Sequence, residues 1–79
     1  MTIEQVKQDF EEIKKIKQAQ ERAELIQQKT KEWMDLSSQY NTILYQAFDE
    51  KDESLLDNAV EIKEAMIAKQ AEIDALNKA

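Results

Sequence analysis

The sequence predicts an all-α chain folded as an antiparallel, coiled-coil-like helical hairpin. A long helix is expected over about 2–48, a turn over about 49–53 and a second helix over about 54–78. Three observations lead there. The chain contains neither Gly nor Pro, the residues that most readily interrupt a helix. Its apolar residues recur at three- and four-residue steps, the spacing of one helical face. That recurrence then slips by one residue just after position 50.

The first helix opens at Thr2, a good N-cap, with Gln5 three residues on to complete a capping box. A first apolar stripe comes next at Ile3, Val6, Phe10 and Ile13, with Ile16 at its edge. Glu11 and Lys15 are spaced to pair on the outer side. Residues 17–32 are far more polar, offering only Ala19, Ala23, Leu25 and Ile26 for burial. Beyond them lies the strongest stripe: Trp33, Leu36, Tyr40, Ile43, Leu44, Ala47 and Phe48.

The turn is located by phase. The row Ala19, Ala23, Ile26, Thr30, Trp33, Ser37, Tyr40, Leu44, Ala47 would continue at Lys51, Ser54, Asn58 and Glu61, all polar. The apolar row restarts one residue late, at Leu55, Ala59, Ile62 and Met66, so a straight seam fails there. Asp49, Glu50, Asp52 and Glu53 would sit at the first helix's C-terminus, where negative charge opposes the helix dipole. Ser54, with Asp57 behind it, reads as the cap of the second helix.

That second helix has two apolar faces. Beside its main row lies another, Leu56, Val60, Ile67 and Ala71. One face can pack on residues 24–48; the other needs a further partner, as does the stripe from Ile3 to Ile13. Two arrangements meet both demands. In one, the chain bends near 17–24 and closes a three-helix bundle. In the other, residues 2–48 stay straight and a second copy covers the open faces. The homo-oligomer is preferred, because nothing in 17–24 breaks a helix and short chains gain from assembly. Ile3, Val6, Phe10 and Ile13 are then the self-association residues. All 79 residues are expected to form one helical domain.

Composition narrows the function. There is no His and no Cys, so the common bases, thiol nucleophiles and soft metal ligands are missing. No Gly-rich loop exists to cradle phosphate. The chain is therefore expected to be no enzyme and to hold no cofactor. The acids of DEKDE lack the central Gly and regular oxygen spacing of a calcium loop, so no dedicated metal site is expected. The net charge of −6 is concentrated late: residues 1–48 carry seven basic and eight acidic side chains, residues 49–79 four and nine. An acidic half of this kind opposes direct binding to nucleic acid or anionic lipid. No stretch is apolar enough to span a bilayer, and MTIEQVKQDFEEIKK is unlike a signal peptide. A cytoplasmic location is expected by default.

What remains is protein–protein contact. Met34 and Tyr45 lie off the main stripe, on an edge shared with Phe48; Met and aromatic residues are enriched at partner surfaces. The candidate partner-binding residues are these three, the acids Asp49, Glu50, Asp52 and Glu53, and Leu56, Val60 and Ile67 of the second helix. The expected role is a small oligomeric helical scaffold, adaptor or assembly protein. The alternative is a small acidic inhibitor, of the kind phages and mobile elements encode, that blocks an enzyme or a nucleic-acid-binding protein.

Overall fold

A computed structural model describes residues 1–78. The chain is a hairpin of two antiparallel helices, α1 (Ile3–Glu50) and α2 (Leu56–Lys78), joined by a 3-10 turn at Glu53–Leu55. The molecule is a rod of 74 × 14 × 12 Å, and the 48 residues of α1 account for its whole length at 1.5 Å per residue. The bend near 17–24 required by the three-helix alternative does not occur; α1 passes through those residues unbroken.

α1 begins as its sequence dictates. The Gln5 amide donates to Thr2 Oγ1 at 3.4 Å, and the Thr2 amide donates to Gln5 Oε1 at 2.9 Å, a complete capping box. Its other end is made without glycine. Lys51 takes the left-handed conformation (φ 53°, ψ 39°). The Lys51 amide donates to Phe48 O at 3.3 Å and the Asp52 amide to Ala47 O at 3.1 Å, the bond pair of a Schellman ending.

Two local expectations are corrected here. Asp52, not Ser54, caps the 3-10 turn that leads into α2: its Oδ1 accepts from the Ser54 amide at 3.1 Å and from the Ser54 hydroxyl. The cap falls two residues early because Lys51 reverses the chain by itself, leaving Asp52 extended and Ser54 inside the 3-10 turn. Near the N-terminus Glu11 pairs with Lys14 at 4.0 Å, one position short of the expected Lys15, and both side chains are exposed.

The seam between the helices keeps Ile26, Trp33, Tyr40 and Ala47 of the row read from phase but is centred to one side of it: Lys29, Leu36 and Ile43 are half-buried, whereas Ala23 and Thr30 of that row are exposed. Ala47, Ala59, Met66 and Ile73 are buried, and Ile26, Trp33, Ser37, Tyr40, Leu44, Leu55, Ile62 and Leu76 are half-buried beside them. Small residues at Ala47 and Ala59 let the helices close up near the turn. Phe48 does not join them: it is 81% exposed, because it lies one residue beyond Ala47 and so about 100° around the helix. Lys63 covers the half-buried Tyr40 ring at 5.2 Å from the ring centre, adding a modest cation–π contact.

Farther from the turn the seam is bridged by charge. Lys69 Nζ reaches Glu32 at 2.7 Å and Glu72 at 3.3 Å, and Lys29 Nζ reaches Glu72 at 3.3 Å. The hydrogen bond from Lys69 is the main cause holding the Glu32 and Glu72 carboxyls below their ordinary values. The same bond to Glu32 raises the Lys69 ammonium. These bridges also fix the register: Lys29 faces Glu72 and Glu32 faces Lys69. Carried to its end, that register brings α2 to a stop at about the level of residue 23 of α1.

Candidate interaction surface

Because α2 is 23 residues long and α1 is 48, nearly half of α1 has nothing beside it. Residues 3–21 form an overhang about 30 Å long. Its stripe of Ile3, Val6, Phe10, Ile13 and Ile16 is 49–72% exposed throughout. The four stripe residues singled out from sequence are thus brought together on one open helix face.

The hairpin body carries a second open apolar region. Leu44 lines three shallow depressions, two in the furrow between the helices and one on α1 alone. Phe48 borders the furrow from α1, and Leu56 and Val60 border it from α2; Tyr45 lines the depression on α1 beside Phe48. At the turn end Asp49, Lys51 and Glu53 complete the rim. Ile67 is exposed farther along α2 and Met34 farther along α1. Of the sequence-predicted partner residues, Phe48, Asp49, Glu53, Leu56 and Val60 therefore meet around one furrow, with Tyr45 next to Phe48 outside it. Glu50 and Asp52 are exposed at the turn, outside its lining. Leu44, the residue all three depressions share, is not distinguished as a contact residue by the sequence, because its place in the seam row marks it as core.

A common geometric rule relates these exposed residues. The row read from phase in α1 forms one flank of the seam, whose other flank is Lys29, Leu36 and Ile43. Extended back to the N-terminus, that row is 2, 5, 9, 12, 16, 19, 23, 26, 30, 33, 37, 40, 44, 47. The residue after each member lies about 100° around the helix. That second row is apolar at both ends, with Ile3, Val6, Phe10 and Ile13 at one and Met34, Tyr45 and Phe48 at the other. Its middle, Lys17, Gln20, Glu24, Gln27 and Lys31, is polar. In α2 the residues after seam members Leu55, Ala59 and Met66 are Leu56, Val60 and Ile67. In an antiparallel pair a one-residue step rotates both helices toward the same side of the hairpin. The open residues of α1 and α2 thus turn to the same side of the hairpin, those of α1 farther from the seam.

The area involved is large. A compact chain of 9.2 kDa exposes about 4,900 Å² by the usual mass scaling, whereas this one exposes 6630 Å². The excess of about 1,700 Å², polar and apolar together, reflects the extended rod shape. Among the described residues no group of three or more Asp or Glu side chains is placed to hold a metal ion. No helix among them is long and apolar enough to cross a membrane. The chain matches no protein-family model, and neither curated proteins nor solved structures give a significant match to it.

Proposed function

We propose that this protein is a non-catalytic protein–protein interaction module, a small helical scaffold, adaptor or assembly protein that works in an oligomer. The observation that carries the reading is the exposure of large apolar side chains on one side of the hairpin, Phe10 and Ile13 on the overhang and Tyr45, Phe48, Leu56 and Val60 at or beside the furrow. Monomeric proteins rarely expose a contiguous apolar region of this size unless it is a contact surface. Helix-in-groove docking is the physical mode it suits. The acidic tip of Asp49, Glu50, Asp52 and Glu53, exposed next to Phe48, favours a second reading, an inhibitor whose tip enters a basic site on another protein.

The test is affinity capture under native conditions with the wild type and with Tyr45→Glu/Phe48→Glu, both exposed positions that leave the seam intact. The reading predicts a defined protein complex, of like or unlike chains, that the variant loses while its helical circular dichroism is unchanged. A wild type that stays a lone monomer and holds no protein overturns it. Under the inhibitor reading, binding falls steeply with salt and with charge reversal at the tip; salt-insensitive binding refutes that reading.

A further inference from the structure

Resting on the interaction-module reading, we infer that the occupant of the open face is a second copy of this chain, running antiparallel over the full length of the first. The overhang of each copy then lies along the furrow of the other.

Length is the first argument. The overhang of 19 residues and the α2 helix of 23 are close in length. Two antiparallel copies therefore place the α2 of one beside the overhang of the other at both ends. Every level of the 74 Å rod then holds at least three helices, and neither overhang is left bare.

Register is the second. If residue n of one α1 lies level with residue 51 − n of the other, the second row maps onto itself. Ile3 meets Phe48, Val6 meets Tyr45, Phe10 meets Asn41 and Ile13 meets Ser38. A shift of one heptad either way leaves Tyr45 and Phe48, or Ile3 and Val6, beyond the end of the partner helix. The same register brings α2 alongside the overhang with Leu56 at the level of Val6, Val60 at Phe10 and Ile67 beside Ile16.

Charge is the third. Asp57 falls level with Lys7 of the other copy and Glu64 with Lys14, while Lys63 lies one residue from the level of Glu12. Glu61 with Glu11 and Asp74 with Glu24 are like-signed exceptions. Asp49, Glu50, Asp52 and Glu53, unfavourable at the C-terminus of their own helix, come beside the partner's Thr2-capped N-terminus, where negative charge is stabilising. The acids on the wrong helix end thereby acquire a physical reason.

The chain has no cysteine, so introduced thiols report directly. Ile13→Cys and Ser38→Cys are made as separate proteins, mixed, and oxidised or treated with a short thiol cross-linker. The inference predicts a covalent dimer from the mixture and little from either protein alone, since like residues then lie about 38 Å apart along the axis. Phe10→Glu in the same assay lowers cross-linking at least tenfold while helical circular dichroism is retained. Efficient cross-linking of Ile13→Cys to itself overturns the inference in favour of pairing between overhangs alone. A monomer that captures an unlike protein on the Tyr45–Phe48 face overturns the inference and leaves the interaction-module reading standing. A monomer with no partner overturns both.

Discussion

Met66→Ala is the sharpest probe of what holds the hairpin together. Met66 is 5% exposed at the middle of the seam, and the substitution removes three groups of methylene size. At about 0.8 kcal/mol each the transfer loss is about 2.4 kcal/mol. Partial collapse of the space left behind brings the total to about 3 kcal/mol. A seam with four buried residues puts the hairpin at the low end of protein stability, about 4 kcal/mol for this length. The variant is therefore left with roughly 1 kcal/mol. With a urea slope of about 1 kcal/mol per molar for a chain this small, the midpoint falls by about 3 M. The assay is urea unfolding monitored by helical circular dichroism, with wild type and variant at one concentration. Met34→Ala is the control, since Met34 is 61% exposed; in the separated hairpin it shifts the midpoint by less than about 0.5 M. Equal shifts for the two methionines would refute the seam assignment.

Three further outcomes rest on local structure. Lys51→Gly relieves the left-handed residue at the end of α1 and raises stability by about 0.5–1 kcal/mol; a loss of stability in the same urea assay contradicts the turn geometry. Thr2→Ala removes the capping box at a cost of about 1 kcal/mol, read as faster amide exchange confined to the first turns of α1. The Lys69 bridges set a pH window. Glu32 and Glu72 titrate below their ordinary 4.5, so their contribution is present above that value and lost as pH falls through the lowered ones. Lys69 titrates above its ordinary 10.5, so its contribution is present below that value and lost as pH rises through the raised one. Lys69→Met therefore flattens the loss of stability on acidification from neutral pH through the carboxylate range; parallel pH profiles for the two proteins would contradict the bridge.

The hairpin is legible in the sequence because it rests on periodicity. The slip from Ala47 to Leu55 in place of Ser54 marks the turn to within a residue or two. The seam row it implies supplies the buried residues Ala47, Ala59 and Met66. The details of the turn are not legible. A lysine in the left-handed region has no sequence signature, and Asp and Ser are equally good caps by type, so without that reversal nothing favours Asp52 over Ser54. Phe48 reads as part of the main stripe because a three-to-four-residue step tolerates a neighbour 100° away; only the finished seam shows it to be on the open side. The bridges of Lys69 depend on the register of two helices distant in sequence, which spacing alone does not fix. The second row of α1 is visible only in halves, since five polar residues between Lys17 and Lys31 separate its apolar ends.

Whether an antiparallel copy completes this hairpin is decided by solution scattering with absolute mass calibration. Full-length overlap doubles the 9.2 kDa mass while leaving the maximum dimension close to the 74 Å of one chain. A monomer at high concentration contradicts the antiparallel dimer, and so does a dimer about 120 Å long, the length expected if only the two overhangs of about 30 Å meet.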